Sequence, residues 1–320
     1  MSQTSLTTNH ERSPMVKLTP RLLTDIWGYL FIAPWLIGFL IFTLGPFLAS
    51  LYLGFTRYSA GIAPEWIGLR NYQQLFSGLW TDSGDTLVWR SLFNTTYYAL
   101  FHVPLSLILA LLIALLLNVR VRGQAIFRTL FYLPSVTSGV ASAILWLWLL
   151  NPNGIVNYFL GFVGISPGPR WFGSTQWAMP GLIIMSLWSI GNIVIIYLAG
   201  LQGIPQQLYE AAVIDGAGLW RCFVHITIPQ LTPTIFFTMI IGLIGAFQIF
   251  TPAFVITNGG PANATLFYLL YLYRNGFQWF QMGYASALAW FLFVIIMVFS
   301  LLQFRLAGRW VYYEGELPGQ

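Results

Sequence analysis

The chain has 320 residues, of which 57% are hydrophobic, 18% aromatic and only 7% charged, with a formal net charge of +5. An average soluble domain carries about 25% charged residues, and the mean hydropathy here is +0.72, which excludes a soluble domain of useful size. The single cysteine, Cys222, excludes an intrachain disulfide and a cysteine-based metal cluster, and His10, His102 and His225 lie far apart in the sequence.

This composition predicts an all-α integral membrane protein, because a helix satisfies its own backbone groups where no water is present. The basic balance is explained by membrane topology, since the cations are spread thinly beside apolar runs. Nucleic acid is not an expected partner, and the lipid bilayer is.

Residues 1–24 are polar, rich in Ser and Thr, and carry Arg12, Lys17 and Arg21. They read as a cytoplasmic N-terminal tail, because the apolar run behind them is too long for a cleaved signal peptide. Six apolar runs follow, at about 29–55, 92–118, 126–150, 178–201, 234–256 and 284–306. Each exceeds the roughly 20 residues that cross a hydrocarbon core as a helix. Pro46, Pro104, Pro134, Gly191 and Gly245 fall within these runs as expected kink points. A seventh stretch, Leu266 to Phe280, is short, contains Arg274 and Asn275, and is dense in aromatics; it reads as a helix lying in the membrane interface. Trp146, Trp148, Trp171, Trp177, Tyr268, Tyr271 and Tyr273 read as interfacial bands. Residues 25–310 thus form one membrane domain, and 311–320 a second cytoplasmic tail.

Six spans place both termini on one side. That side holds Arg12, Lys17, Arg21, Arg120, Arg122, Arg128, Arg221, Arg305 and Arg309, against Arg57, Arg70, Arg90, Arg170 and Arg274 on the other. The excess predicts that both termini, and the loop after the fourth run, are cytoplasmic.

That loop, about 203–231, holds two of the chain's nine acidic residues, Glu210 and Asp215. Pro205 suits the first turn of a helix, Glu210, Ala211, Ala212 and Asp215 then belong to that helix, and Gly216 can end it in a left-handed conformation. A second short helix, Leu219 to His225, is expected to stop at Pro229. The pair would form a compact knob beneath the membrane; a merely solvated loop is the competing reading.

The spacing Glu210-Ala211-Ala212, three residues, Gly216, then Ile226-x-Ile228-Pro229 resembles the EAA loop of ABC importer permeases, with Ile228 where the pattern usually has leucine. Phe127-Arg128 to Leu133-Pro134, Leu201 to Pro205, Thr257 to Pro261, Met282 to Ala287 and the end from Gln303 to Gly315 resemble carbohydrate importer permeases. The branch is the one that includes lactose, glycerol-3-phosphate and maltose permeases.

The resemblance implies the MetI-like fold with six transmembrane helices. It also implies a heterodimer with a second permease, two copies of a cytoplasmic ATPase and an external solute-binding protein. Glu210, Ala211, Ala212, Asp215, Gly216, Ala217 and Pro229 would belong to the helix that couples to the ATPase. No P-loop pattern occurs in the chain, so it is not read as an enzyme; ATP and Mg would sit on the separate ATPase, with no cofactor in this chain.

A sugar pathway needs amides, hydroxyls and aromatic faces. Trp188, Ser189 and Asn192 in the fourth run, and Gln248 in the fifth, supply them at depth. Such polar groups face a cavity or bond a neighbouring helix. Aligning Leu201 to Pro205 with the maltose permease places its sugar contacts on or near Trp188, Ser189 and Asn192. A secondary transporter or channel is the alternative function, but it would be expected to carry a coupling carboxylate inside a span. A membrane enzyme would be expected to cluster His, Asp, Glu or Ser, and the scattered histidines do not.

Overall fold

The computed structural model describes residues 20–81, 84–119 and 122–312, with side chains from Trp27 onward. The tails assigned to residues 1–24 and 311–320 fall mostly outside these residues. The chain divides into two units, Met1–Tyr52 and Leu53–Gln320.

The first unit holds helix α1 (Pro20–Phe39), which runs through a π-helical turn at Leu40–Leu44 into α2 (Gly45–Leu53). The apolar stretch Trp27–Leu53 is long enough to cross a bilayer. Its large side chains, Phe31, Trp35 and Phe42 among them, are exposed, as expected of a helix that faces lipid or a partner.

The second unit begins with a two-stranded antiparallel ribbon, β1 (Thr56–Arg57) and β2 (Glu65–Trp66), with Thr56 opposite Trp66. Helix α3 (Arg70–Ser77) follows, then α4 (Thr86–Asn118), α5 (Gln124–Val136), α6 (Gly139–Leu149) and α7 (Ile155–Phe162). Next come α8 (Ala178–Leu187), α9 (Gly191–Gly203), α10 (Gln206–Ile214) and α11 (Leu219–Cys222). A π-turn at Phe223–Thr227 joins α11 to α12 (Ile228–Phe247), and a second π-turn spans Ala253–Thr257. Helix α13 (Tyr268–Tyr273) continues into another π-turn, Arg274–Gln278, before α14 (Met282–Ala307). The all-helical expectation holds, apart from the ribbon.

Helix α4 organises this unit. Asp85 caps it, its carboxylate accepting from the Val88 N–H at 3.3 Å, and Pro104 does not break it. At about 1.5 Å per residue it is roughly 50 Å long, and two apolar clusters lie along it. Val88 and Tyr98 pack with Met179, Leu182 and Ile183 of α8 and with Ala246 and Phe247 at the end of α12. Ala110, Ala114 and Leu117 pack with Val194, Leu198 and Leu201 of α9 and with Leu231 near the start of α12. Helices α8 and α9 together therefore run parallel to α4, and α12 runs back.

Three runs differ from expectation. The third run is not one helix: α5 and α6 meet at a 100° bend, with Thr137 and Ser138 extended between them. The pair still traverses, because α5 starts where the Gln124 side-chain amide donates to the Leu117 carbonyl at 2.7 Å, and α8 starts at the other end of α4. The fourth run bends by 45° at Trp188–Ile190. The fifth span begins far earlier than residue 234 and ends at Phe247. Among the described residues, four helices are long and apolar enough to cross alone, and six spans result when each bent pair is one span.

The stretch Leu266–Phe280 is only partly at a surface: Phe277, Trp279 and Phe280 are exposed, but its first half is in the core. Leu266, Phe267, Tyr268 and Leu270 are fully buried. The Tyr268 hydroxyl donates to the Leu288 carbonyl at 2.9 Å, and its N–H to Thr95 Oγ1. Asn94 donates to the carbonyls of Asn263 and Leu266, binding this loop to α4. Trp171 also serves packing: it is buried, and its indole N–H donates to Asn157. A tyrosine or tryptophan has a polar handle that a core can use as well as an interface can.

Candidate functional site: the coupling loop and the helix breaks

Helix α10 starts one residue after Pro205, whose φ of −59° and ψ of 128° make it the flanking residue and not a member of the first turn. Glu210, Ala211 and Ala212 lie within the helix, and Asp215 is one residue past its end. Gly216 adopts φ +76°. Its N–H donates to the Val213 carbonyl at 3.0 Å, and the Ala217 N–H to the Ala212 carbonyl at 2.8 Å. This is the Schellman closure, in which a glycine satisfies carbonyls that would otherwise be orphaned.

The expected stop at Pro229 does not occur. Helix α11, the π-turn and α12 form one continuous apolar helix, Leu219–Phe247. In the π-turn the Ile228 N–H bonds to Phe223, five residues back. Proline breaks a helix by lacking an N–H and crowding the carbonyl four residues earlier; a ladder already widened there absorbs both effects. Pro229 is therefore a registration point inside a helix.

At the tip of the loop, Val213, Leu219 and Trp220 are exposed and Ile214 is 86% exposed. Glu210 and Asp215 are exposed beside them. Ala212, Ala217, Arg221, Cys222, His225 and Ile226 line a shallow cavity of about 270 Å³ between α10 and the following helix. An apolar tip with an acidic rim is what a protein partner would cover. The C-terminal segment packs further along the same helix: the Tyr312 N–H donates to Thr232 Oγ1 at 2.8 Å and Trp310 packs edge-on against Phe236.

The proposed pathway residues all sit where helices break. Trp188 and Ser189 occupy the α8/α9 bend and Asn192 the first turn beyond it, all exposed. Gln248 is exposed at the end of α12. Two glycines relate these places to the α5/α6 bend. A Cβ on Gly191 would lie 2.7 Å from the Phe131 carbonyl and 3.1 Å from Ser135 Oγ, so α9 meets α5 backbone to backbone. A Cβ on Gly139 would touch the Thr251 methyl at 3.6 Å. Trp146 of α6 stands edge-on to Trp188, with ring centroids 6.0 Å apart.

Sequence reasoning missed Thr137 and Ser138, which are exposed at the α5/α6 bend, with Thr137 bonded to Ser142 at 2.9 Å. The signal is Pro134 and Gly139 flanking Ser135-Val136-Thr137-Ser138, three hydroxyl residues in four. Helix ends facing an aqueous space offer partial charges as well as side chains. Of the histidines, His102 stacks on Tyr98, and His225 contacts the Arg221 carbonyl in the turns that follow α10.

A second polar cluster lies at the opposite end of α4. Asp85 Oδ2 accepts from the phenols of Tyr271 at 2.6 Å and Tyr284 at 2.7 Å. Burial, and then the hydrogen bond to Asp85, push the Tyr271 phenol above its ordinary range, so it remains a donor at physiological pH. Among the described residues no group of His, Cys, Asp and Glu could hold a metal ion.

Residues 103–312 match the family described as "Binding-protein-dependent transport system inner membrane component". The chain belongs to that family. It is 46% identical over 295 residues to a Bacillus subtilis (strain 168) protein described as "Probable ABC transporter permease protein YesP", covering 91% of this chain and 94% of the relative. It is 36% identical to the lactose transport system permease protein LacF of Rhizobium radiobacter, covering 88% and 94%. It is 33% identical to the trehalose/maltose transport system permease protein MalF of Thermococcus litoralis, covering 88% and 93%. Among solved structures it resembles a bacterial ABC transporter involved in the import of the acidic polysaccharide alginate, with a TM-score of 0.75 and 28% identity over 90% of this chain and 99% of the other. A second alginate transporter structure is a complex with an alginate-pentasaccharide-bound periplasmic protein; its TM-score is 0.74, at 25% identity over 90% and 96%. This permease thus shares the architecture of an importer subunit along nearly its whole length.

Proposed function

We propose that this permease is one of two membrane subunits of an ATP-driven sugar importer. It would pair with a different permease, receive sugar from an external solute-binding protein, and be moved by two copies of a cytoplasmic ATPase that carries the ATP and Mg. The relatives named for lactose and for trehalose and maltose support a sugar as cargo. The observation that carries the coupling role is the loop: a glycine-closed helix with an exposed apolar tip and an acidic rim.

In this reading α10 sits in a cleft on the ATPase, with Glu210 and Asp215 facing cations or amides at its rim. Closing of the ATPase dimer displaces α10, which leads directly into the spans through α9 and α12. Thr137, Ser138, Trp188, Ser189, Asn192 and Gln248 supply hydroxyl, indole and amide contacts along half of a pathway for an uncharged, hydroxyl-rich solute. The inner membrane is the setting, with both termini and the loop in the cytoplasm; that orientation follows from the excess of cations on their side, nine against five.

The test is co-purification of the ATPase with the permease. Glu210→Lys reverses a rim charge, and Gly216→Pro forbids the positive φ of the closure; each should release the ATPase while the two permeases stay together. Full retention of the ATPase by both variants would overturn the proposal.

A further inference from the structure

We infer that Tyr209 and Thr227 are positioning residues that convert movement of α10 into movement of the span Leu219–Phe247. The inference rests on the reading that α10 docks an ATPase, and goes beyond it by naming the strut that carries the stroke.

Helix α10 hangs between two compliant links. On one side, Ile204 and Pro205 are extended, with ψ of 124° and 128°. On the other, Gly216, Ala217 and Gly218 form the turn, and a Cβ on either glycine would meet nothing within 4 Å. No side chain packs against either glycine, so only the backbone bonds of the closure hold the turn. A push on the tip of α10 could be dissipated as rotation about these links, leaving the long helix where it was.

One side-chain bond opposes that rotation. The Tyr209 hydroxyl lies 2.9 Å from Thr227 Oγ1, across eighteen residues of sequence. Among the described residues it is the one side-chain hydrogen bond from α10 to another element. Its far end is anchored: Thr227 is 6% exposed and is the last residue of the π-turn. The Thr227 hydroxyl donates in turn to the Cys222 carbonyl at 3.4 Å, an acceptor five residues back. The 2.9 Å Tyr209–Thr227 bond and the longer contact to the Cys222 carbonyl together join the face of α10 to the first turns of the span. The glycine closure and this strut fix α10 at two separated points, which is the minimum needed to transmit a tilt. The π-turn gives the strut its acceptor, since its wider ladder leaves the Cys222 carbonyl within reach of a side chain.

The experiment uses the whole complex in nanodiscs, with its ATPase and solute-binding protein, and a reporter Ser189→Cys at the α8/α9 bend. The readout is the change in maleimide reaction rate at that thiol on adding MgATP; the parent without the reporter corrects for buried Cys222. Tyr209→Phe and Thr227→Val each remove one hydroxyl and little volume. Either should reduce the MgATP-induced change about 5-fold, the factor that corresponds to one neutral hydrogen bond. Both together should do no more than one alone, and Thr227→Ser should restore the parent response. The ATPase should co-purify and hydrolyse ATP throughout. An undiminished response in Tyr209→Phe, additive losses in the double variant, or loss of the ATPase from the complex would each overturn the strut. Absence of any MgATP response in the parent would overturn the coupling reading itself, which separates the two failures.

Discussion

Helix α9 contains a graded test of the close packing that holds the helix breaks together. A Cβ on Gly191 would lie 2.7 Å from the Phe131 carbonyl and 3.0 Å from the Tyr132 Cα, both backbone atoms. Carbon–oxygen contacts across packed backbones normally stay at about 3.3 Å or more, so α5 and α9 would have to part by roughly 0.6 Å. Overpacking of this kind costs about 1–3 kcal/mol. Gly200 faces Leu231 Cδ2 at 2.8 Å and Thr234 Oγ1 at 3.1 Å, which are side-chain atoms that can rotate. Gly203 meets nothing within 4 Å, so alanine there should cost nothing and gain up to about 1 kcal/mol of helix propensity. Detergent-solubilised Gly191→Ala, Gly200→Ala and Gly203→Ala, unfolded by denaturant, should therefore rank in that order from least to most stable. Equal stability of Gly191→Ala and Gly203→Ala would refute the backbone contact and the convergence of breaks inferred from it.

Two further outcomes follow from the sites. Asp85→Ala removes a helix cap, about 1 kcal/mol, and the shared acceptor of two phenols, about 1–3 kcal/mol each before water replaces the carboxylate; a loss of at least about 2 kcal/mol is expected by the same denaturant assay, and an unchanged midpoint would contradict the hub. Asn192→Leu should lower sugar uptake into proteoliposomes while the complex assembles and its basal ATP hydrolysis persists, whereas unchanged uptake would remove Asn192 from the pathway.

What the sequence made legible, and what it hid, follows from how each feature is encoded. The coupling loop was readable because its geometry depends on residue identity: a left-handed turn needs Gly216, and the helix before it follows Pro205. The bends in the third and fourth runs were hidden because hydropathy measures only apolar length, and both halves of each bent helix are apolar. Gly191 was marked as a kink point, but its close contact with Phe131 depends on a partner 60 residues away. Pro229 misled for the opposite reason. Its local rule is to stop a helix, and a π-turn that no local pattern announced removed the conflict. Leu266–Phe280 reads as interfacial because aromatics suit interfaces; its exposed end, Phe277–Phe280, fits that reading, whereas Asn94 and Thr95 of α4 satisfy the backbone at its start and bring that half into the core.

The central claim is that the apolar tip of the α10 loop is covered by a cytoplasmic ATPase. Leu219 is 93% exposed at that tip, so a p-benzoylphenylalanine placed at position 219 and illuminated in intact cells reads the contact directly. The account predicts a covalent adduct with a subunit whose sequence contains the Gly-x-x-x-x-Gly-Lys-Ser/Thr phosphate-binding pattern. An adduct with the second permease alone, or none with the ATPase in cells whose importer is active, would contradict it.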